Sequence, residues 1–526
     1  MARPSCWSKE ADMTSEEEPP AMVDVVVVGA GPTGLALAIG LRQYGLEVAV
    51  LEKADSGKRQ ARAGVVWQRA LEVLDDLGCA ERFLANGVAL RTSELVVAGR
   101  SLGEVAMAAP GTRFPHPLCI EQDAMERLLG ERLLEVGGKV EWSSEAVAVR
   151  VGAGAAEVDV RGPDGRQRTL RCAWVVGCEG AHSTVRKALG LPFEGGPREN
   201  LQVVQFNAIA DWSYPARPGH TYMFLSHGIS AGAAPRPGGG YRFYGFTADP
   251  DQRELTPPSL DEMSAFLARA AHDPSVKLSA TDPLWTNRAR FQDRFTRTLR
   301  SGRGLLAGDS AHVWAPVAAH GLNTALRGAH NLAWKLASVQ LGWSEPELLD
   351  TYSSEQRLTA LRVMRKTARD RMELPGTALT LLSMRLLGPR LLRSRRATDR
   401  IRSRLSDLDM HHRESALSVG ERAGDRIPDL PVWTEGHWRP LHELLDYRHW
   451  TLLRVSGSAL GDPHLARLLA RYPLPIEVRA VEPAPGEERL LPPGALLLLR
   501  PDRHIALTAR HPEEVAAYLG RWFRRT

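Results

Sequence analysis

Three short segments, far apart in the chain, carry residue types that can hold a phosphorylated ligand. The first, VVVVGAGPTG at 25–34, predicts a strand that runs straight into a glycine-rich turn and a helix. Gly29, Gly31 and Gly34 have the G-x-G-x-x-G spacing, which permits a tight turn, close approach of a pyrophosphate, and close packing of helix on strand. Pro32 and Thr33 complete the turn. The helix N-terminus then offers unpaired N–H groups to the phosphates.

An acidic residue follows this turn at the distance expected for a ribose contact. A second predicted strand, EVAVLEK at 47–53, ends near Glu52, which lies eighteen residues after Gly34. A carboxylate there accepts hydrogen bonds from ribose hydroxyls and repels a 2′-phosphate, so the nucleotide that it fixes is an adenosine without that phosphate. These residues alone leave FAD and NAD equally open.

A later segment, GLLAGDSAHVWAP at 304–316, shifts the balance toward FAD. Asp309 follows an apolar strand, and an acid at the carboxyl end of a parallel strand points into the ligand crevice. It can reach a second part of a long cofactor, such as the ribityl chain of a flavin. The next segment predicts a helix, because apolar residues recur at three- and four-residue spacing. They are Leu322, Ala325, Leu326, Ala329, Leu332, Ala333, Leu336 and Val339. The dipole of this helix would stabilise a reduced flavin.

Taken together, the motifs give the chain a recognisable family pattern. It resembles the single-component FAD-dependent aromatic hydroxylases, and more narrowly their polyketide and phenol hydroxylase branch, which has an extra C-terminal domain. The motifs that carry the resemblance are GAGPTG, the RAG of 62–64, RALEVLDDLG at 69–78, Gln122 in IEQDAMERLL, GCEGAHSTVR at 177–186, GDSAH at 308–312 and GLNTALRGAHNLAWKLA at 321–337.

The resemblance implies cofactor contacts at the adenosine and diphosphate end. Glu52 would hold the adenosine ribose, and Arg62 would face the pyrophosphate. Gln122 would touch the diphosphate or ribityl region. The implied cofactor is FAD, with NADPH or NADH as co-substrate.

At the flavin end, the resemblance places Asp309 on the ribityl chain. Pro316 would belong to the same cofactor site, and the backbone groups of Gly321, Leu322 and Asn323 would face the flavin ring. No metal ligand is implied. Among His220, His227 and Tyr222, we expect ordinary strand residues, so no catalytic base is assigned.

Three departures from the family pattern stand out. Glu179 replaces the usual Asp of a CDG motif, and its extra methylene moves the carboxylate far enough to disturb a hydrogen bond. Residues 318–321 read AAHG where the pattern is G-G-Q-G, so alanine removes access to positive φ. His320 is either a titrating group near the flavin or a neutral substitute for Gln, and we favour the second. Arg327-Gly328 replaces a Gln-Asp pair.

Bulk properties narrow the class of protein. The chain has 526 residues and a formal net charge of +5. Its five cysteines show no C-x-x-C or Cys/His spacing, which predicts buried free thiols and disfavours the disulfide reductases that share the first fingerprint. Residues 1–21 predict a flexible tail and not a signal peptide. With no clean run of about eighteen apolar residues, we expect a soluble, cytoplasmic protein that crosses no membrane.

A basic stretch between Arg362 and Arg404 contains MRKTARDR and LLRSRRATDRIRSR. Such a run could bind nucleic acid or an anionic membrane surface. We favour an arginine-rich helical pair that connects two domains, because no nucleic-acid motif accompanies it. We therefore expect neither nucleic acid nor membrane as a partner.

The predicted fold class is α/β, with a Rossmann-like FAD-binding domain interleaved with an antiparallel β-sheet substrate domain. The first comprises 22–95, 118–195 and 290–375, and the second 96–117 and 196–289. A basic helical connector spans 376–419. Residues 420–526 resemble a thioredoxin-like α/β domain, which lacks cysteine and so has a structural role or a role in homodimer packing.

The function implied by the resemblance is NAD(P)H- and O2-dependent hydroxylation of a phenolic or polyketide aromatic small molecule in secondary metabolism. The same scaffold also supports Baeyer–Villiger oxidation or epoxidation. A non-catalytic flavin-fold protein is a third alternative, for which residues 318–320 are the best argument.

Overall fold

The computed structural model describes residues 22–56, 64–248, 255–316, 319–368, 377–456 and 463–526. The predicted tail at 1–21 lies outside these residues. The described α-helices are α1 (Pro32–Gln43), α2 (Gln68–Asp76), α3 (Ala80–Asn86), α4 (Gln122–Glu135), α5 (Thr184–Ala188), α6 (Leu260–Ala271), α7 (His320–Gln340), α8 (Leu348–Ala368), α9 (Ala378–Arg393), α10 (Arg395–Ser406), α11 (Pro463–Leu469) and α12 (Pro512–Trp522).

The strands fall into three large sheets and one small one. They are β1 (Val23–Val28), β2 (Val48–Leu51), β3 (Val65–Val66), β4 (Val88–Ala89), β5 (Thr92–Val97), β6 (Arg100–Ala106), β7 (Leu118–Cys119), β8 (Val140–Glu141), β9 (Glu145–Val151), β10 (Ala156–Arg161), β11 (Gln167–Gly177), β12 (Glu194–Asp211), β13 (His220–Ser226), β14 (Ile229–Pro235), β15 (Tyr241–Ala248), β16 (Lys277–Ala280), β17 (Thr286–Phe295), β18 (Arg300–Ser301), β19 (Gly304–Leu306), β20 (His312–Val313), β21 (Pro431–Thr434), β22 (His437–Pro440), β23 (Trp450–Val455), β24 (Ile476–Pro483), β25 (Leu496–Leu499) and β26 (Ile505–Ala509).

The nucleotide-type sheet has the order β18-β19-β11-β1-β2-β8, and β19, β11, β1, β2 and β8 run parallel. Its central strand β1 ends in four consecutive buried valines, Val25–Val28, as expected for a strand covered on both faces. Helices α1 and α7 pack together on this sheet, so closely that a Cβ on Gly40 would lie 2.8 Å from the Cβ of Ala333. This packing fixes where α7 begins.

The second large sheet has nine strands in the order β20-β17-β12-β15-β14-β13-β5-β6, with β16 beside β12. All its pairs are antiparallel except β13 with β5. It reaches beyond the segments proposed from sequence, because it begins at Thr92 and includes β17 to Phe295 and β20. Strand β17 reads TNRARFQDRF and is mostly half-buried, so it lacks the apolar alternation that marks a strand.

Two helices, α9 and α10, follow α8 in the basic part of the chain. Leu381 and Leu392 on α9 pack against Leu102 of β6, which attaches the pair to the outer edge of the nine-stranded sheet. Leu405 near the end of α10 packs beside Phe246 and Phe291 of the same sheet. The helical pair therefore lies against the antiparallel sheet.

The third large sheet is C-terminal, with the order β22-β21-β24-β23-β25-β26. Strand β23 runs parallel to β24 and antiparallel to β25, and α11 and α12 flank the sheet. This mixed α/β unit completes the fold class predicted from the sequence, which is confirmed.

The turn at 500–504, RPDRH, fastens the C-terminal unit to α7 and α8 through buried charges. The guanidinium of Arg500 donates to Glu355 at 2.8 and 3.1 Å and also to Asp502. The Asp502 carboxylate accepts from Asn331 Nδ2 at 2.8 Å and from Trp334 Nε1 at 3.1 Å. Paired buried charges add little net stability, but loss of one partner costs about 3–5 kcal/mol. The network therefore fixes the position of α7 relative to the C-terminal sheet.

Arg503 in this turn has a left-handed backbone, with φ +60°. An RPDG-type turn has glycine here, and glycine adopts this conformation without steric cost. The buried Arg503 side chain donates to the carboxylate of Asp76 at the end of α2. The strained backbone is thus accompanied by an ion pair to the nucleotide-type domain.

Candidate functional site

The predicted cofactor segments meet at one edge of the parallel sheet. Strand register aligns the last residues of four neighbouring strands, Leu306, Gly177, Val28 and Leu51. The chain continues from them into the GDS turn, the GCEG turn, the GAG turn and Glu52. Since strands lie about 4.8 Å apart, the ends of β19 and β2 are separated by roughly 14 Å. A ligand that touches both acids must be elongated.

The glycine-rich turn has the close packing that its spacing predicts. A Cβ on Gly34 would lie 1.9 Å from the carbonyl oxygen of Gly29, so only glycine permits this approach of helix to turn. Gly34 therefore lies beneath the cradle and does not line it. Gly29, Gly31, Pro32 and Thr33 do line the cavity above.

The GDS turn packs directly on the first glycine-rich turn. Gly308 has φ +58°, and a Cβ there would lie 2.6 Å from the hydroxyl oxygen of Thr33. Asp309 is exposed and lines the cavity. The two segments, far apart in sequence, thus form one continuous wall.

Glu52 is fixed by the backbone around it. Its Oε2 accepts from the Ala30 N–H at 2.9 Å and its Oε1 from the Ala54 N–H at 3.0 Å. The side chain is buried to 5 % exposure yet lines the cavity. Since a carboxylate oxygen has two lone pairs, each oxygen can also accept a hydrogen bond from a hydroxyl group of a ligand.

Glu179 joins two of the converging turns. Its Oε1 accepts from the Val185 N–H at 2.8 Å, and its Oε2 from the Ser310 hydroxyl at 3.2 Å. The Ser310 hydroxyl oxygen in turn accepts from the Gly180 N–H at 3.0 Å. The longer side chain thus bridges α5 and the GDS turn.

The start of α7 forms the wall opposite the glycine-rich turn. The expectation that alanine removes access to positive φ is wrong at Ala319, which has φ +54°, the left-handed conformation that the glycine of the usual pattern adopts without steric cost. Gly321 and Leu322 line the cavity, as does Pro316. Asn323 does not line it: its side chain accepts from the Trp67 N–H at 2.8 Å and donates to the Val65 carbonyl at 2.9 Å. Asn323 therefore ties α7 to β3.

The sequence suggested that His320 is a neutral substitute for Gln, but in the structure it does not take that role at the cavity. It is buried at 1 % exposure, and its Nδ1 lies 3.3 Å from Oδ1 of Asp407, which follows α10. It is absent from the cavity lining. Val317 and Ala318 lie outside the described residues, as does Arg62, so their predicted places are untested. Gln122 lines the cavity at the start of α4.

These elements enclose a cavity of about 1240 Å³, larger than the roughly 300–1,000 Å³ of a typical site for one small molecule. One part is the cradle just described, and another is the face of the nine-stranded sheet. That face contributes mostly apolar and aromatic side chains. They include Leu90, Leu95, Val105, Met107, Tyr222, Met223, Ala233, Ala234 and Tyr244, with Trp67 at the junction. The volume accommodates an elongated cofactor and a second molecule together.

Several lining residues were not identified from the sequence. Arg242 pairs with Glu121 at 3.0 Å and lies 4.2 Å over the Trp285 ring. His312 stacks on Trp314 at 4.8 Å, and burial lowers its pKa to about 4. No local motif marks Arg242, and although His312 ends the GDSAH motif, that motif alone did not indicate a side chain at the cavity.

The three base candidates lie on or directly after one strand, His220 and Tyr222 on β13 and His227 after it. His220 and His227 do not line the cavity. His220 Nδ1 is 2.6 Å from the Thr92 hydroxyl, and the Tyr222 hydroxyl donates to the Pro215 carbonyl at 2.5 Å. Burial raises the pKa of Tyr222, so its phenol stays protonated near neutrality.

The cradle fits an adenine dinucleotide, because helix N–H groups, a fixed carboxylate and a distant second acid lie along one edge. Comparison with known proteins decides which one. Residues 22–367 match the family described as FAD binding domain, and residues 420–526 match the aromatic-ring hydroxylase C-terminal domain. The chain belongs to the FAD-dependent aromatic-ring hydroxylases. FAD is thus the cofactor of this hydroxylase, and it is a flavin-dependent monooxygenase.

Similar proteins include monooxygenases named for tetracycline intermediates and for rifampicin. It is 32% identical to the 12-dehydrotetracycline 5-monooxygenase/anhydrotetracycline 6-monooxygenase of Streptomyces rimosus, over 92% of this chain and 95% of the relative. It is 30% identical to a rifampicin monooxygenase of Streptomyces venezuelae, over 95% and 99%. The solved anhydrotetracycline hydroxylase OxyS of Streptomyces rimosus superposes with a TM-score of 0.75 at 30% identity, over 96% and 99%.

The family resemblance drawn from the motifs is confirmed by these matches. Within the described part of this hydroxylase, no helix combines the length and apolar character needed to cross a bilayer.

Proposed function

We propose that the protein uses NADPH or NADH and O2 to hydroxylate a polycyclic aromatic small molecule of the phenolic or polyketide class in secondary metabolism. The observation that carries the proposal is the single cavity that joins the dinucleotide cradle to the apolar face of the antiparallel sheet. The relatives named for tetracycline intermediates and rifampicin support a large multi-ring substrate. Bound FAD would supply the redox chemistry, and the chain's residues position the reactants.

The cofactor contacts belong to the same proposal. Glu52 would hold the adenosine ribose, Asp309 the ribityl chain, and Gln122 the region between them. Arg62, outside the described residues, would face the pyrophosphate. The N–H groups at the start of α7 present the positive end of its dipole to the cavity, where they would stabilise negative charge on the reduced ring.

The sheet face would hold the substrate and exclude water. Leu95, Val105 and Met107 give this wall an apolar surface, and Tyr244 and Trp67 add flat aromatic groups. Aromatic rings pack against such side chains in offset or edge-to-face geometry. A dry wall also prevents water from consuming the activated oxygen without product.

Product analysis tests the proposal. The holoenzyme is incubated with NADPH, ¹⁸O2 and tetracyclic phenols such as anhydrotetracycline. We expect a product that gains one labelled oxygen as an aromatic hydroxyl, with consumption of NADPH close to the amount of product. A ring-expanded lactone would favour Baeyer–Villiger oxidation, and an epoxide would favour epoxidation. Hydrogen peroxide without any oxygenated product would contradict the proposal.

A matched pair of variants tests the substrate wall. Met107→Trp places a larger side chain in the sheet part of the cavity and should lower kcat/KM for the tetracycle at least tenfold, with FAD retained. Ile209→Trp changes the same sheet at a position that is 54% exposed and should have no effect. If the two variants were equally active, the substrate would not bind against the cavity face of this sheet.

A further inference from the structure

The cavity has a third wall that neither the cradle nor the sheet face explains. The last turns of α8, the end of α10 and residues 409–410 form it. Four of its residues are basic, namely Arg362, Arg365, Lys366 and Arg404. The wall also includes apolar residues, namely Trp314, Ile401, Leu405 and Met410. Basic residues thus cluster on one side of the cavity, whereas the cradle side carries the carboxylates Glu52 and Asp309 and the sheet face is mostly apolar.

Part of this positive charge is already balanced within the protein. Arg362 pairs with Glu414 and donates to the His411 carbonyl at 2.8 Å. Lys366 donates to the backbone carbonyl of Arg404 and lies 3.8 Å from Oδ1 of Asp407. These contacts hold two of the four cations in place.

The guanidinium groups of Arg365 and Arg404 are different. Both side chains are exposed, and among the described residues no carboxylate lies within ion-pair distance of either. Asp409, an exposed residue on the same wall, supplies one negative charge against the four basic residues. A surplus of positive charge therefore faces the cavity from α8 and α10, and it favours an anionic ligand.

This wall adjoins the start of α7 rather than the glycine-rich turn. Asp407 connects them, because it contacts both His320 and Lys366. The phosphates of FAD belong at the N-terminus of α1, at the ends of β1 and β2. An anion bound on the α8–α10 wall would therefore belong to a second molecule that approaches the ring end of the cofactor.

The reductant is such a molecule. The sequence contains one G-x-G-x-x-G fingerprint, so a second dinucleotide has no Rossmann-type cradle of its own. Its nicotinamide has to reach the flavin, while its phosphates stay outside. We propose that Arg365 and Arg404, with Lys366 between them, bind the phosphate groups of the reducing pyridine dinucleotide. This inference rests on the proposed function, which supplies NADPH or NADH as the reductant.

Exposed cations suit a co-substrate that binds and leaves in every turnover. Their attraction for phosphate acts at long range, and salt weakens it because the Debye length is about 8 Å at physiological ionic strength. Arginine also meets phosphate with two parallel hydrogen bonds. The site would thus be weak, fast and sensitive to salt.

Anaerobic stopped-flow reduction of the FAD-loaded enzyme tests the inference. The rate is measured against NADPH concentration for wild type, Arg365→Gln, Arg404→Gln and the double variant. We expect the double variant to raise the Kd for NADPH about tenfold, since a charged hydrogen bond is worth about 1.5–3 kcal/mol. The limiting reduction rate should stay the same, and added salt should weaken wild type more than the double variant.

Arg400→Gln is the matched control, because Arg400 is an exposed arginine of α10 outside the cavity lining. It should leave the Kd unchanged. An unchanged Kd in the double variant, with hydroxylation intact, would overturn the inference and leave the proposed function standing. The inference would also be overturned if the double variant bound NADPH normally but had a raised KM for an acidic aromatic substrate. Failure of both nucleotides to reduce the wild-type flavin would overturn the proposed function and this site together.

Discussion

His320 and Asp407 form a buried pair, with His320 Nδ1 3.3 Å from Asp407 Oδ1. The other oxygen of the same carboxylate lies 3.4 Å from the Arg327 guanidinium. His320 and Arg327 are seven residues apart, two turns of α7, and so lie on one face of the helix. Both replace residues of the family pattern. These two departures therefore share one partner, and they connect α7 to the residue that follows α10.

Removal of the Asp407 charge tests this relationship. Burial alone would raise the pKa of Asp407, but His320 and Arg327 hold it below its usual range. We expect Asp407→Asn to lower the free energy of unfolding by about 3 kcal/mol, because it leaves the Arg327 guanidinium without its buried counter-charge. It should also weaken FAD binding through the start of α7. Thermal melting and FAD titration measure the two effects.

Asp399→Asn is the control for that variant, since Asp399 lies on α10, which ends just before Asp407, and is 61% exposed in an ion pair with Arg402. It should change stability by less than about 0.5 kcal/mol. Identical melting and FAD affinity in the two variants would show that the Asp407 contacts do not support α7.

His312 gives the stability a specific pH dependence. Its pKa falls from the ordinary 6.5 to about 4 because the ring is buried, so the unfolded chain binds a proton more readily than the folded protein does. The contribution is complete above pH 6.5 and is lost progressively as pH falls toward 4. Between pH 7 and pH 5 this amounts to about 2 kcal/mol.

His312→Phe keeps the stacking on Trp314 but does not titrate. We expect its urea midpoint to fall less than that of wild type between pH 7 and pH 5. The exposed His437 offers the comparison, and His437→Gln should follow wild type. If the urea midpoint fell equally in wild type and both variants between pH 7 and pH 5, His312 would titrate normally in the folded state.

The turn at 500–504 should control the attachment of the C-terminal unit. The Arg500 and His504 charges hold the pKa of Asp502 well below its usual range, although burial opposes this. Asp502→Asn removes the charge that faces Arg500 and places an amide against Asn331 and Trp334. We expect a loss of about 3 kcal/mol and faster hydrogen exchange in α7 and in β25–β26.

Asp446→Asn serves as the control for the attachment, because Asp446 pairs with Arg448 at the surface. Its exchange pattern should match wild type. If Asp502→Asn exchanges no faster in α7 than this control, the network does not fix the helix.

Cofactor fragments can separate the two ends of the cradle. Glu52→Gln should weaken ADP about tenfold and leave FMN unaffected, and Asp309→Asn should do the reverse, because each removes a charged hydrogen bond at one end. Both should weaken FAD. Isothermal titration of the apoprotein measures all six affinities, and equal effects of both variants on both fragments would contradict the assignment of ends.

The cradle was predictable because its determinants are local. The spacing of Gly29, Gly31 and Gly34 specifies the turn, and Glu52 follows at the end of the next strand. The place of Asp309 could be predicted from the rule that parallel strands end at a common edge of the sheet. Ten of the thirteen predicted cofactor residues line the cavity, while Gly34 lies beneath it, Asn323 faces β3 and Arg62 lies outside the described residues.

The contact of the His320 side chain with Asp407 could not be predicted, because Asp407 lies far along the chain and follows a helix with no family motif. The same applies to Arg365 and Arg404, whose shared wall depends on how α8 and α10 pack. Strand β17 was partly missed because its arginines hide the alternation. Local spacing therefore gave the cofactor cradle, and tertiary packing determined the rest of the site.

A crystal structure of the FAD complex tests the central claim most directly. We predict one extended cofactor along the ends of β2, β1, β11 and β19. The Glu52 carboxylate should lie within 3.2 Å of the adenosine ribose hydroxyls, and the Asp309 carboxylate within the same distance of the ribityl chain. An FAD molecule that contacts only one of these acids, or neither, would contradict the account.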